Sequence, residues 1–308
     1  DFPGQCVALV GVLNAWMESK GLITAKEWRN FCNDVVILGE IESFVVEAGE
    51  NIHIPVKISN SKPEVFHGKQ LIYSVATGEE SLAEGVLDIP TSNERVHLIG
   101  TVQFTVPKLA KAQKVQVKLQ IADSEYENAY TLWAYPKFEV SITEDTIICG
   151  EQRAKIVKDL EEAKKLKASG EKVVCIPPAN PEDVEGTYCT DFWNYPMFRS
   201  ISESMNRKVP IGTLGLYIPG KEQFGEEFPC ESFSTPQWYH LVTHSHCAVL
   251  DQHEDVDLLV QPIDNIERCH KLGMVYYEQG ILVCTSKIYE IAELPEVKTF
   301  AKILLKLC

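Results

Sequence analysis

The stretch Asn51–Ser59, NIHIPVKIS, constrains the fold more than any other part of the sequence. Ile52, Ile54, Val56 and Ile58 alternate with other side chains, and a period of two places them on one face of a β-strand. Similar runs are KQLIYSVAT, VHLIGTVQF, KVQVKLQIA and AYTLWAYP, separated by turn sequences such as AGEN and PTSNER. Short strands at this spacing, without a long helix, predict an antiparallel immunoglobulin-like β-sandwich over residues 36–145.

The sequence changes character over residues 146–308. EQRAKIVKDLEEAKKLKASG has helical periodicity and ends at a glycine, and PEVKTFAKILLKLC predicts a final helix. Apolar runs predict buried strands between these helices, namely KVVCIP, IGTLGLYI, HCAVLD, DLLVQPID, GMVYYE and ILVCTS. Continuously apolar strands that alternate with helices are typical of a largely parallel sheet. We therefore predict an α/β layered domain here.

The first 35 residues are too few to form a core of their own. Cys6–Ser19 has apolar residues at helical spacing, and Gly21 follows as a helix stop. Thr24 and Glu27 then have the spacing of a capping box, which predicts a second, short helix. Two short helices cannot bury a hydrophobic core alone. We therefore expect both helices to pack on another surface. Without that surface, the first helix would expose an apolar face, which would favour self-association or mobility.

Charge and hydropathy argue against two classes of partner. The chain has 29 Lys and Arg against 44 Asp and Glu, for a net charge of −15. A nucleic-acid-binding protein needs a basic face to neutralise phosphates, and no apolar run in the sequence reaches the length of a membrane span. We therefore expect neither a nucleic-acid nor a membrane partner, and the composition suits a neutral ligand or none.

Sequence motifs for cofactor chemistry are absent. The sequence contains no G-x-G-x-x-G, G-x-x-x-x-G-K or G-x-S-x-G, so we expect no nucleotide cofactor and no serine nucleophile elbow. None of the ten cysteines forms a C-x-x-C pair, and buried reduced thiols in a cytoplasmic protein explain them better than a disulfide framework. His244–Cys247 fits no standard zinc spacing, so we predict no metal site. A Cys-His hydrolase using Cys247 or Cys284 remains an alternative.

Candidate binding residues cluster in the last segment. Asp191, Trp193 and Tyr195 combine aromatic rings with a carboxylate in GTYCTDFWNYPMF, and Trp238 lies in PQWYHLVTH. Aromatic faces can stack on a sugar while carboxylate and amide groups bind its hydroxyls. Asn265, in QPIDNIERCHKLG, is a further candidate. The alternatives are packed aromatic segments and, around Asn265, a turn held by Asx hydrogen bonds.

Four of these stretches occur together in a characteristic order. GTYCTDFWNYPMF, GTLGLYI, FPCESFSTPQWY and QPIDNIERCHKLG resemble the C-terminal region of bacterial glycoside hydrolase family 2 enzymes, the β-galactosidase-like hydrolases. DFPGQCVALVGVLNAWMESKG looks like the end of that family's catalytic (β/α)₈ barrel, and LWAYP looks like the close of the following β-sandwich. The resemblance implies a helical tail of a truncated barrel over residues 1–35, the immunoglobulin-like sandwich over 36–145, and a glutamine-amidotransferase-like accessory domain over 146–308.

The resemblance also implies where the chemistry lies. Retaining glycosidases use two carboxylates that flank the scissile bond, and in this family both come from barrel strands upstream of residue 1. We therefore expect no catalytic residue, metal or cofactor in this chain. Asp1 and Gln5 would lie at the mouth of the parent barrel, where such enzymes bind substrate. The sequence departs from the family pattern at Ser232-Phe233, where Phe-His is common.

Three functions are compatible with these patterns. The chain is a non-catalytic C-terminal part of a retaining β-glycosidase, inactive alone, whose partner is the missing N-terminal part of the same polypeptide. Alternatively it is a carbohydrate-binding module that uses Trp193 and Trp238. In the third hypothesis its domains brace the barrel or form a homo-oligomer. We favour the first, with a structural role for the chain.

Overall fold

The computed structural model describes residues 11–14, 16–61, 68–92, 94–187, 204–206, 215–264 and 269–308. These residues form mostly β-sheet with few helices. The chain divides into two compact units. Unit 1 comprises Asp1–Leu109 and Gln113–Ala134, and unit 2 comprises Ala110–Ala112 and Tyr135–Cys308. The three-part division at residues 35 and 145 stays a prediction.

Unit 1 is built from two antiparallel sheets. Its elements are α1 (Ala25–Arg29), β1 (Val35–Gly39), β2 (Val45–Glu47), β3 (Asn51–Asn60), β4 (Gln70–Thr77), β5 (Glu80–Asp88), β6 (Val96–Thr105), β7 (Gln113–Ile121) and β8 (Glu127–Tyr135). One sheet has the order β1-β3-β6, and the other has the order β2-β8-β7-β4-β5. Each of the five strand-like runs named from the sequence corresponds to a strand, which confirms that part of the prediction.

The two sheets of unit 1 enclose one hydrophobic core. Alternation in β3 buries Ile54, Val56 and Ile58, and alternation in β7 buries Val115 and Val117 among others in the same cluster. Burial of apolar area stabilises the folded state by roughly 25 cal/mol per Å². Because the apolar residues of each strand lie on one face, that face turns inward. The alternation therefore determines both the strand and its orientation.

Two hydrogen bonds link β1 to β8 in unit 1. The backbone N–H of Gly39 at the end of β1 donates to the Tyr130 hydroxyl at 2.9 Å, and the Asn128 side chain donates to the carbonyl of Ile37 at 2.8 Å. A Cβ on Gly39 would lie 3.0 Å from the Tyr130 ring. Glycine therefore allows the close approach of β1 to this ring.

The N-terminal part of unit 1 confirms one predicted helix and corrects the other. Thr24 and Glu27 form both bonds of a capping box, which begins α1 at Ala25. The predicted helix Cys6–Ser19 is wrong over its described residues 11–14 and 16–19, which form a turn closed by a bridge between Leu13 and Ser19. The Asn14 side chain accepts the backbone N–H groups of residues 16 and 18 at 2.9 Å each. Such local bonds compete with a helix.

Unit 2 contains an eight-stranded mixed sheet and a separate three-stranded sheet. Its strands are β9 (Ser141–Ile142), β10 (Thr146–Cys149), β11 (Gln152–Val157), β12 (Val173–Cys175), β13 (Val184–Glu185), β14 (Gly215–Tyr217), β15 (His246–Val249), β16 (Val256–Ile263), β17 (Leu272–Gly273), β18 (Val275–Glu278) and β19 (Ile281–Cys284). The α-helices of unit 2 that lie wholly within the described ranges are α2 (Leu160–Ala168), α3 (Lys221–Phe224), α4 (Tyr239–Thr243) and α5 (Pro295–Leu307). The sheet orders are β14-β16-β18-β19-β12-β11-β10-β9 and β13-β15-β17.

The predicted largely parallel sheet is wrong for the described strands of unit 2. Only β11–β12 and β12–β19 pair in parallel among them, and the other pairings are antiparallel. Gln279 and Gly280 join β18 to β19 with φ of 49° and 77°. Positive φ at both central residues is the geometry of a two-residue hairpin turn, which forces antiparallel pairing. Continuous apolarity reports burial on both faces, whereas strand direction depends on the connections.

The predicted helix from residue 151 to Gly170 is shorter in the structure. Residues 152–157 form strand β11, and α2 begins only at Leu160. The Asp159 side chain caps α2 by accepting the backbone N–H of Glu162 at 2.8 Å. Ile156 and Val157 are instead buried in the sheet. The final helix, α5, is confirmed at Pro295–Leu307.

Gly186 provides a stability test of unit 2. A Cβ there would overlap the carbonyl oxygen of Val242 and lie 2.7 Å from that of Ser245. Because backbone atoms cannot move aside cheaply, Gly186→Ala is expected to lower the free energy of unfolding by roughly 1–3 kcal/mol. Gly100→Ala, whose Cβ would meet the flexible end of Leu87 at 3.0 Å, should cost less. Chemical denaturation of both variants measures the difference, and equal losses would contradict the argument.

Candidate functional site

Most residues predicted from the sequence to bind substrate lie outside the described part of the chain. These are Asp1, Gln5, Asp191, Trp193, Tyr195 and Asn265. Their roles at the mouth of a barrel or in a sugar site stay predictions. Trp238 alone among the candidates lies within the described ranges.

Trp238 is packed inside unit 2. It has 0% exposure, and its ring centroid lies 5.0 Å from that of Phe228, 5.5 Å from Phe224 and 5.9 Å from Phe300. A sugar-stacking platform needs an accessible ring face. In this structure Trp238 offers none, which corrects its assignment as a platform. The hydrophobic alternative, a packed aromatic segment, describes its surroundings.

A buried polar chain runs beside this aromatic cluster. The Tyr135 hydroxyl donates to Oε1 of Gln237, and Nε2 of Gln237 donates to the carbonyl of Pro229 at 2.8 Å. Burial raises the pKa of Tyr135 well above its usual value, so the phenol keeps its proton as a donor. These bonds hold the short 3₁₀ turn Pro236–Trp238, which places the tryptophan in the core.

Cysteine chemistry finds little support in unit 2. Cys247 and Cys284 are both fully buried, and burial raises the pKa of the Cys284 thiol to about 12. A nucleophilic cysteine needs an accessible thiolate at neutral pH. Five cysteines in the described ranges carry free thiols, namely Cys32, Cys149, Cys175, Cys284 and Cys308. No three His, Cys, Asp or Glu side chains in those ranges are placed to hold a metal ion.

A group of exposed apolar side chains of unit 1 lies before β1. We call it the N-terminal apolar surface and define it by Trp16, Met17, Leu22, Trp28 and Phe31. Their exposed fractions are 76%, 74%, 74%, 39% and 54%. A cleft of about 560 Å³ lies in the same segment, and its lining includes Trp28. Several large apolar side chains exposed within one short segment are typical of an interaction surface.

Local structure explains why these side chains stay uncovered. Helix α1 has five residues and buries none of them. Trp28 and Phe31 pack edge-to-face at 5.1 Å between ring centroids, so they cover each other only in part. Within the described part of Cys6–Ser19, Trp16 and Met17 are exposed, and a turn carries them instead of the predicted helix.

A second cleft, in unit 2, contains residues that the sequence analysis did not combine. Its lining includes Asp183 and His246, whose Oδ2 and Nε2 atoms lie 3.5 Å apart. In the sequence, His246 stands out only as part of His244–Cys247, which fits no standard zinc spacing, and no motif includes Asp183. Asp183 lies in the segment PPANPED, which follows β12. Segments that follow parallel strands line one edge of a sheet, so this position could have indicated a binding residue.

No helix within the described ranges is long and apolar enough to cross a membrane. Two family models match the sequence. Residues 155–307 match the model described as Domain of unknown function (DUF8487), and residues 50–136 match Domain of unknown function (DUF8488). No curated protein matches the sequence significantly.

Similar solved structures include one domain and two bacterial enzymes. VCBP3 domain 1 from Branchiostoma floridae is 10% identical, with 33% of this chain and 96% of that one covered and a TM-score of 0.23. Parabacteroides merdae β-glucuronidase with glycerol in its active site is 11% identical. The match covers 46% of this chain and 21% of the glucuronidase chain, with a TM-score of 0.25. Bifidobacterium dentium β-glucuronidase complexed with coumarin-3-O-glucuronide is 18% identical. The match covers 39% of this chain and 20% of the glucuronidase chain, with a TM-score of 0.20.

These structural similarities carry no functional argument, because the TM-scores are low. The chain spans about a fifth of the length of the two glucuronidase chains. The two sequence matches are therefore the firmer result: one region in each unit is similar to a family of domains of unknown function.

Proposed function

We propose that this chain is the C-terminal accessory region of a retaining β-glycosidase, non-catalytic by itself, which packs against the catalytic barrel of the same polypeptide. The N-terminal apolar surface carries this proposal. Trp16, Met17 and Leu22 are each about three-quarters exposed, and covering such side chains stabilises an assembly by about 1.5–3 kcal/mol each. The motif resemblance is the support for a barrel as the occupant.

The fold of each unit is compatible with this role. Under the proposal, unit 1 is the immunoglobulin-like sandwich, and its support is the face-to-face pair of antiparallel sheets around one core. Unit 2 is the amidotransferase-like layer, and its support is the parallel succession β11-α2-β12, extended by β19. Fold analogy gives no activity, so the proposal assigns unit 2 a bracing or oligomerisation role.

The test compares two double variants in two contexts. Trp16→Gln/Leu22→Gln changes the N-terminal apolar surface, and Val86→Gln/Leu98→Gln changes side chains of unit 1 that are 51% and 54% exposed. In the isolated chain, both should shift the free energy of unfolding by only about 0.5 kcal/mol per substitution, because the side chains are exposed.

In the polypeptide that carries the barrel, only the first variant should weaken the assembly. Loss of two covered side chains is expected to shorten the half-life of glycosidase activity on heating at least tenfold, which corresponds to about 1.4 kcal/mol. Equal half-lives for the two variants would contradict the docking role. A barrel-bearing polypeptide without glycosidase activity would overturn the assignment itself.

A further inference from the structure

A cleft of about 130 Å³ opens at the carboxyl ends of the parallel strands of unit 2. Leu160 follows β11, Cys175 and Pro177 mark the end of β12, and Val283 belongs to β19; all four line the cleft. Loops at the carboxyl edge of parallel strands are where α/β sheets bind ligands. The location therefore suits a binding site, and the polar lining decides what it can bind.

Asp183 is held rigidly in this cleft. Its side chain is 4% exposed. Oδ2 accepts the backbone N–H of Asn180 at 2.8 Å, and Oδ1 accepts that of Val249 at 3.3 Å. These two backbone donors fix the position of the carboxylate. Asp183 thus presents a fixed negative charge beside His246.

His246 offers an unused hydrogen-bond acceptor. Its side chain is 7% exposed, and burial lowers its pKa, so the imidazole is neutral near pH 7. We assign the ring proton to Nε2, because that atom lies 3.5 Å from the Asp183 carboxylate. Nδ1 then carries a lone pair, and it has no hydrogen-bond partner among the described residues. A buried acceptor without a donor destabilises the folded protein, so a ligand that donates an N–H or O–H there is favoured.

The rest of the lining adds negative charge and apolar surface. Glu278 lines the same cleft, where it pairs with Nδ1 of His253 at 2.8 Å. Cys175 stays a neutral thiol, because burial raises its pKa to about 12. Leu160 and Val249 supply apolar walls. The lining is therefore rich in acceptors and in negative charge.

We propose that this cleft binds a small primary alkylammonium ligand. Its N–H groups donate to Nδ1 of His246, the carboxylates of Asp183 and Glu278 balance its charge, and its alkyl group lies along Leu160 and Val249. This inference is independent of the accessory role proposed above, because it concerns unit 2 alone.

The test is a titration of the 308-residue chain with propylammonium chloride, with sodium chloride as the ionic-strength control. The imidazole ¹⁵N resonances report the site, and His246→Gln identifies the His246 signals by their loss. We expect a saturable shift of the His246 Nδ1 resonance with a millimolar dissociation constant. The neutral isostere 1-propanol should bind at least tenfold more weakly.

Matched variants distinguish binding of propylammonium in the cleft from nonspecific attraction of a cation to an acidic protein. Asp183→Asn should weaken propylammonium binding at least tenfold, whereas Glu182→Gln, which removes the exposed charge next to it in sequence, should change binding less than twofold. If Asp183→Asn does not fold, Glu278→Gln should also weaken binding.

Three results would overturn the proposal. The first is the absence of a saturable His246 shift beyond that caused by sodium chloride. The second is equal affinity for 1-propanol and propylammonium. The third is an equal loss of binding in Glu182→Gln and in the variants that line the cleft.

Discussion

Replacing Trp238 with alanine is expected to lower the free energy of unfolding of unit 2 by about 3–5 kcal/mol, the range for buried aromatic truncations. Trp238 is fully buried and contacts Phe224, Phe228 and Phe300 within 6 Å between ring centroids. Truncation removes these contacts and leaves a cavity, because close-packed neighbours relax only in part. Calorimetric unfolding of the variant measures the loss.

Two further variants make the Trp238 test specific. Phe233→Ala removes an aromatic ring of the same unit that is 59% exposed, so its cost should be about 0.5 kcal/mol. Trp238→Phe keeps an aromatic ring and removes an indole N–H that has no partner among the described residues, so it should cost less than Trp238→Ala. A Trp238→Ala protein as stable as Phe233→Ala would show that the ring is not a core element.

The second large effect is a pH dependence centred on Glu296. This residue lies in the first turn of α5 and is 1% exposed. Burial raises the pKa of its carboxyl from the usual 4.5 to about 7, and the charge of Glu293 adds to this rise. The folded state therefore keeps a proton that the unfolded chain releases.

The sign of the effect follows from proton linkage. Between pH 4.5 and about 7 the folded state binds more protons at this site than the unfolded state, so the stability contributed by Glu296 falls as pH rises. A rise of the pKa from 4.5 to about 7 changes the free energy of unfolding by about 3 kcal/mol across this pH range. Glu296→Gln has no proton to lose, so relative to wild type it should gain about 3 kcal/mol between pH 4.5 and pH 8.

Denaturant unfolding across this pH range measures the difference between the two proteins. Glu254→Gln is the control, because Glu254 is an exposed carboxylate of the same unit. Its stability curve should run parallel to that of wild type. If the Glu296→Gln curve does the same, the buried carboxyl does not titrate differently in the folded protein.

Local patterns predicted much of unit 1 and, in unit 2, one helix and the six strands β12, β14, β15, β16, β18 and β19. The alternation in NIHIPVKIS predicted β3 and its buried face, and the Thr24–Glu27 pair predicted the start of α1. Helix α5 followed from its apolar periodicity. Each of these signals lies within about ten residues of chain, because periodicity and capping act through neighbouring residues.

Local patterns failed where two structures were compatible with one sequence. Residues 152–157 fit a helical pattern, yet they form β11 because pairing with β10 and β12 satisfies their backbone and buries Ile156. Likewise, the turn at Asn14 replaces a predicted helix in the described residues around it. Tertiary pairing outweighs helix propensity, which is worth less than 1 kcal/mol per residue for ordinary residues.

The sequence by itself determined the β-rich character of unit 1, the inward-facing residues of its strands and the capped helix that precedes its first strand. Only the tertiary structure decided the direction of the strands in unit 2, the burial of Trp238 and the meeting of Asp183 with His246, 63 residues later in the chain. The physical reason is range. Periodicity and capping are encoded among neighbours, whereas burial and polar contacts between distant residues exist only once the sheet has closed around them.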